Sequence, residues 1–135
     1  MSTTTSTATV TTLAAVIIPV EDQDRLIDFY TETLGLEKRT DVPFGEGVEG
    51  RWVEVAPSGA ETPIALCPPG PDLEAGGKDT GISLRTDDID AYHARLKARG
   101  VDVDPEVSRM GEPVPPLFWF RDPEGNTLMV VEITD

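Results

Sequence analysis

The chain has 135 residues, of which 25 are acidic and 11 basic, so that its net charge is −14, and 39% of its residues are hydrophobic. This length and composition suit one compact domain with a packed interior. The acidic excess argues against nucleic acid and against anionic membranes as partners, because phosphate groups attract positive charge.

The sequence also limits location and redox chemistry. No apolar stretch approaches the roughly 18 residues of a membrane-spanning helix, and the first residues lack the basic and apolar regions of a secretory signal. We therefore expect a cytoplasmic protein. The one cysteine, Cys67, excludes an internal disulfide, and we interpret it as a small buried residue rather than a nucleophile.

The first half of the chain predicts the order βαβββ. Residues 1–12 are polar and of low complexity, which indicates a flexible tail. An apolar run over residues 13–20 predicts a strand, and a helix follows that Asp22 or Asp24 caps and Gly35 ends. Three more strands are predicted over residues 37–42, 50–55 and 62–67.

The second half repeats this order after a linker over residues 69–79 that is rich in proline and glycine. A strand is predicted over residues 81–86, then a helix between Asp88 and Gly100. The remaining strands are predicted within residues 101–110, 117–121 and 126–134.

A turn over residues 122–126, with the sequence Asp-Pro-Glu-Gly-Asn, joins the last two strands. Proline presets φ there, and glycine supplies the positive φ that other residues avoid. Asp22 with Asp88 and Gly59 with Gly125 both match at an offset of 66 (88 − 22 and 125 − 59). We therefore predict tandem modules over residues 13–68 and 80–135 within one structural domain.

The repeated pattern resembles the vicinal oxygen chelate superfamily, which includes glyoxalase I, extradiol dioxygenases, fosfomycin resistance enzymes and bleomycin resistance proteins. The resemblance covers about residues 12–133 and is carried by segments 20–22, 29–30 and 34–36, which read Val-Glu-Asp, Phe-Tyr and Leu-Gly-Leu, and by the turn 122–126. It implies an α+β fold in which two tandem βαβββ modules form a cupped, curved mixed sheet with the helices on the outer face.

Metal-using members of that superfamily place one ligand on the first strand and one on the fourth strand of each module. The ligand is usually His or Gln on the first strand and Glu on the fourth. The resemblance puts residues without a nitrogen or oxygen donor at these four positions: Ala15, Ala65, Gly81 and Met129. Zinc, iron, nickel and manganese need several N, O or S donors, and a thioether is a poor one. We therefore expect no metal and no other cofactor.

Strand alternation predicts which side chains face the cavity. If Val53 and Val55 pack toward the helix, their neighbours Trp52 and Glu54 point into the cavity. The repeat offset of 66 relates Trp52 and Glu54 to Phe118 and Phe120 (52 + 66 and 54 + 66), so these two aromatic side chains are also predicted to face the cavity. The predicted ligand-binding residues are Ile17, Trp52, Glu54, Cys67, Arg85, Phe118, Phe120 and Met129. This set suits an apolar pocket with a few polar groups; alternatively, these side chains simply fill the space between the sheets.

Three functions are compatible with these features. The first is a metal-free protein that binds a small aromatic or cationic organic molecule, with a sequestration or resistance role similar to that of bleomycin resistance proteins. The second is a lyase, isomerase or dioxygenase of the same fold that uses Glu54 as a base, with Arg85 or Tyr30 as its electrostatic partner. The third is a structural or regulatory module without a ligand. Because members of the resembled superfamily commonly pair, we expect a homodimer in each case.

Overall fold

Two four-stranded sheets with one helical stretch each make up the computed structural model, which describes residues 7–134. Residues 1–6 of the predicted tail lie outside this range. The first half contains β1 Val16–Pro19, α1 Gln23–Asp28, a π-helical segment Phe29–Thr33, β2 Glu37–Pro43, β3 Arg51–Ala56 and β4 Ile64–Cys67. The second half contains β5 Asp79–Thr86, α2 Ile89–Ala98, β6 Asp102–Val103, β7 Leu117–Arg121 and β8 Thr127–Glu132.

The two sheets have the same topology, β1-β4-β3-β2 and β5-β8-β7-β6. In each sheet the first strand pairs parallel with the last, and the other neighbours pair antiparallel. A parallel pair needs a crossover connection, which the helix of each module begins. The predicted α+β class and the repeated βαβββ order are therefore confirmed. Within the described range, no helix is long and apolar enough to cross a bilayer.

Both helices begin and end where the sequence predicts. Asp22 accepts a hydrogen bond from the backbone N–H of Arg25 at 3.0 Å, and Asp88 accepts one from that of Ala91 at 3.1 Å. These contacts satisfy N–H groups that the first turn of a helix leaves without partners. Gly35 ends the first helical stretch with φ +91°, a conformation that side-chain-bearing residues avoid.

One core is shared by the two modules. It contains residues from both sheets and both helices: Ile18, Val20, Leu26, Ile27, Tyr30, Leu34, Val53, Val55, Ile64, Leu66, Ile89, Leu96, Phe118, Phe120, Leu128 and Val130. The ring of Phe29 lies 6.3 Å from that of Phe120, and the Tyr92 hydroxyl donates to the Leu34 carbonyl at 2.8 Å. The helix-facing sides of the sheets therefore meet in this core, and the opposite faces point away from it.

The turn 122–126 fastens the second module to the first. Buried Asp122 accepts hydrogen bonds from the Tyr30 hydroxyl at 2.8 Å and from the Asn126 backbone N–H at 3.0 Å. The Glu124 carboxylate accepts two more from the backbone N–H groups of residues 21–22, at 2.8 and 2.9 Å. Burial, and then the charge of Asp122, holds the pKa of Tyr30 well above its usual value, so the phenol stays a donor.

Candidate functional site

The side of the first sheet opposite the helix carries five of the residues considered in the sequence. Ile17 on β1 and Glu54 on β3 are both ladder partners of Ala65 on β4, which places the three side chains on one face. Alternation adds Trp52 and Cys67 to them. We call this set, Ile17, Trp52, Glu54, Ala65 and Cys67, the first open face. As predicted, the side chains of Trp52 and Glu54 lie on one face of the sheet and those of the buried Val53 and Val55 lie on the other.

The Glu54 carboxylate is held by neutral donors. The Trp52 indole N–H donates to it at 2.9 Å, and the Thr40 hydroxyl donates to it at 3.3 Å. Within residues 7–134, Glu54 forms no ion pair with a Lys, Arg or His side chain. Its negative charge is therefore available to a cationic group or to a hydrogen-bond donor of a ligand.

Cys67 is buried at the edge of this face, with 8% of its surface exposed, in agreement with its interpretation as a small buried residue. Burial raises the pKa of its thiol, and the negative charge of Glu54 raises it further. The thiolate is the nucleophilic form of cysteine. A raised pKa therefore disfavours covalent chemistry at Cys67 near neutral pH.

The equivalent side of the second sheet is more exposed. Ser83 on β5 and Trp119 on β7 are ladder partners of Met129 on β8. Alternation along β5 adds Gly81 and Arg85, and all three of these β5 residues are exposed. We call this set, Gly81, Ser83, Arg85, Trp119 and Met129, the second open face. A small cavity of about 80 Å³ lies on it between Gly81, Trp119 and Met129.

Phe118 and Phe120 do not lie on this face, so the prediction that they line the cavity is wrong. Both are fully buried in the shared core. Phe120 contacts Phe29, and the Phe118 ring lies 4.8 Å from that of His93 in an edge-to-face arrangement. The ring nitrogen Nε2 of His93 lies 2.7 Å from the Asp104 carbonyl oxygen.

The error has a physical cause in the register of β7. The buried residues of β3 and β7 match at an offset of 65, since 118 − 53 and 120 − 55 both equal 65, and not at the 66 of the turn residues. A slip of one residue moves every side chain of a strand to the other face of its sheet. Trp119, which the sequence reasoning missed, consequently takes the exposed position that corresponds to Glu54.

The proposed electrostatic partners of Glu54 lie elsewhere. Tyr30 is fully buried, and its hydroxyl is committed to Asp122. Arg85 belongs to the second open face, where its Nε donates to the Ile133 carbonyl at 3.1 Å. Neither is positioned to assist Glu54 as a general base within one chain.

The residues at the four expected metal-ligand positions do not fit a divalent metal centre. Ala15, Ala65 and Gly81 have no donor atom in their side chains, and Met129 offers only a thioether. The first-strand residues directly beside the fourth strand are Ile17 and Ser83, which add a single hydroxyl. In the described part of the chain, no three His, Cys, Asp or Glu side chains are grouped so that they could hold a metal ion.

A cavity of about 540 Å³ lies where the loop before β7 meets the end of β8. Its walls come from residues 109–116, apart from residue 110, and from residues 132–134. Arg85 contacts Ile133, so the cavity borders the second open face. The three prolines of residues 113–116 predict a loop between strands, but they give no sign of a pocket.

Comparisons with known proteins agree with this architecture. The family model of the Glyoxalase/Bleomycin resistance protein/Dioxygenase superfamily matches residues 12–130. The structure of TnmS3, an antibiotic binding protein from Streptomyces sp. CB03234, is 38% identical, with a TM-score of 0.80 over 94% of this chain and 99% of that one. A glyoxalase/bleomycin resistance protein from the same Streptomyces is 41% identical, with a TM-score of 0.73 over 89% and 99%. A superfamily member from Sphaerobacter thermophilus DSM 20745 is 38% identical, with a TM-score of 0.82 over 92% and 98%.

Proposed function

Because this chain belongs to the glyoxalase/bleomycin resistance protein/dioxygenase superfamily, we propose that it binds a small aromatic or cationic organic molecule without using a metal, and thereby sequesters it. The observation that carries this proposal is the hydrogen-bonded pair of Trp52 and Glu54 on the first open face. The likeness to TnmS3, an antibiotic binding protein, supports the same class of function.

The chemistry of the first open face favours such a ligand. Trp52 offers an aromatic surface beside a carboxylate that has no cationic partner in the described residues, and a cation near both gains from the charge and from the ring. Ile17 adds apolar surface, since its side chain is 48% exposed. Covering that surface contributes favourably to binding, at roughly 25 cal/mol per Å².

We propose further that the binding chamber is closed by a second copy of the chain. Each open face presents large apolar side chains to solvent. Ile17 on the first face and Val42, the ladder partner of Trp52 beside it, are 48% and 50% exposed, and Trp119 on the second face is 38% exposed. Large apolar side chains exposed together on one face are typical of interfaces and of ligand sites. A first open face placed against a partner's second open face would enclose a chamber lined by both. Light scattering of the purified protein should therefore give the mass of a dimer; a monomer at micromolar concentration would contradict this arrangement.

Titration calorimetry tests the proposed function with three probes: a bleomycin-type glycopeptide, the planar aromatic cation ethidium, and a neutral aromatic compound of similar size. We expect the cationic probes to bind more tightly than the neutral one. The substitution Glu54→Gln should weaken the binding of the cations by about tenfold, because it removes a charge-assisted interaction.

Glu61→Gln provides the matched control, because Glu61 is exposed in the turn between β3 and β4 and its loss changes the net charge by the same amount. This variant should bind like the wild type. Absence of binding across the panel, or equal effects of the two substitutions, would refute the role proposed for Glu54.

A further inference from the structure

We propose that a groove between the two modules is a second binding site, which takes a small organic anion: a carboxylate or a phosphate monoester attached to an apolar or aromatic body. The groove has a volume of about 280 Å³, and none of its lining residues belongs to either open face. Residues from α1, the π-helical segment, the segment 99–102 after α2, β7 and the turn 122–126 form it. Those that matter for binding are Arg25, Phe29, Thr33, Arg99, Val101 and Arg121.

Two guanidinium groups of the groove have no carboxylate partner. The Arg25 side chain is exposed and makes no hydrogen bond or ion pair with any residue in the range 7–134. Arg99 donates to the backbone carbonyls of Glu32 at 2.6 Å and Thr33 at 3.5 Å, contacts that fix its guanidinium at the wall without neutralising it. Two guanidinium groups on one groove favour an anion with several acceptor oxygens.

The other charged side chains of the groove are engaged in contacts within the protein. Arg121 bonds to Asp102 and to Asp104, each at 3.0 Å. The Asp122 carboxylate is buried and accepts from Tyr30 and Asn126. The lining carries three positive and two negative side chains, a net charge of +1 (3 − 2), and its exposed charges without an oppositely charged partner in the described residues are those of Arg25 and Arg99. This positive site contrasts with the chain as a whole, whose net charge is −14.

An apolar surface lies beside the two guanidinium groups. Phe29 is half-buried, and its ring contacts that of Tyr30 edge-on at 5.3 Å and that of Phe120 in a tilted arrangement at 6.3 Å. Thr33 also lines the groove four residues further on. The amide of Leu34 bonds to the carbonyl of Phe29 at 3.0 Å, the wide spacing of a π-helix. Such segments occur frequently at functional sites. The ring and the guanidinium groups together fit a molecule with one anionic end.

Backbone amide shifts of the labelled full-length protein, followed by NMR, test this site with phenyl phosphate, benzoate and the neutral benzyl alcohol. We expect the two anions to shift the amides of Arg25, Phe29 and Thr33 in a saturable manner, and benzyl alcohol to leave them unchanged. Comparison of the two anions shows which acid group the site prefers. If neither anion shifts these amides, or if benzyl alcohol shifts them as strongly, the proposed site does not exist.

Arg25→Gln and Lys97→Gln form a matched pair of variants, since both remove one exposed positive charge and Lys97 lies on α2 outside the groove. Arg25→Gln should raise the dissociation constant of the anion about tenfold, as expected when a charge-assisted hydrogen bond is lost. Lys97→Gln should change it less than about twofold, since distant exposed charges are screened. Equal losses in both variants would reduce the effect to net charge and overturn the proposal. Shifts confined to Trp52 and Glu54 would also overturn it, while leaving the first open face as the binding site.

Discussion

At the scale of single residues, Glu54 gives the first open face its charge. It is the carboxylate on that face, and the indole of Trp52 holds it in place. Its influence reaches Cys67, since the negative charge of Glu54 adds to the effect of burial in raising the pKa of the thiol. The reactivity of Cys67 therefore reports on the negative charge of the first open face.

This coupling predicts the alkylation rate of Cys67 by iodoacetamide as a function of pH. Because the thiolate reacts and the pKa is raised, the rate should stay low at about pH 8.5, where an ordinary thiol is half ionised, and increase at higher pH. Glu54→Gln should move the profile to lower pH, because it removes a negative charge that opposes ionisation. Glu61→Gln should leave it in place. A wild-type profile centred on the value of an ordinary thiol would contradict the assignment.

At the scale of secondary structure elements, β3 and β7 show where the sequence is sufficient and where it is not. In β3, Trp52 and Glu54 alternate with two valines, so the polar side chain reveals which face is open. In β7, four of the five residues are large and apolar, in the sequence Leu-Phe-Trp-Phe-Arg, and no alternation marks a face. Its register depends on packing against the helices. The turn residues could not predict this register, because they match at an offset of 66, whereas the buried residues of β3 and β7 match at 65.

The helices provide a prediction about stability, because each donates one tyrosine hydroxyl across the seam between the modules. Tyr30 bonds to the buried carboxylate of Asp122, and Tyr92 bonds to the carbonyl of Leu34, both at 2.8 Å. Tyr30→Phe should lower the free energy of unfolding by about 2 kcal/mol and Tyr92→Phe by about 1 kcal/mol, since hydrogen bonds to charged groups contribute more.

Urea denaturation followed by far-UV circular dichroism measures both values under the same conditions. Each variant keeps its ring and its packing, so each serves as a control for the other. A loss from Tyr30→Phe no greater than that from Tyr92→Phe would show that the Asp122 contact does not hold the modules together as described.

At the scale of the whole molecule, the repeat and its matching residues were sufficient to predict the eight strands, the two helices and their order. They did not predict how the modules sit against each other. A helix would cover one face of each sheet however the modules were placed. The contact between the modules, Phe29 against Phe120, joins residues that are 91 positions apart (120 − 29). Patterns of local spacing carry no information on such a contact.

The shared core predicts that the two modules unfold together. The chain has two tryptophans, one in each module. The variant Trp119→Phe therefore reports on the first module through Trp52, and Trp52→Phe reports on the second through Trp119. Because one set of buried residues belongs to both modules, fluorescence and circular dichroism should give coincident transitions within each variant. Fluorescence that precedes or follows circular dichroism in either variant would indicate modules that fold independently.

The turn 122–126 has a consequence for how this superfamily is recognised. Its aspartate and glutamate are occupied in bonding to Tyr30 and to the backbone at the start of α1. These bonds involve no metal, and here they coexist with alanine, glycine and methionine at the four expected metal-ligand positions. In this chain the turn motif therefore reflects how the two modules assemble. The chemistry of each must be read from the strands on either side.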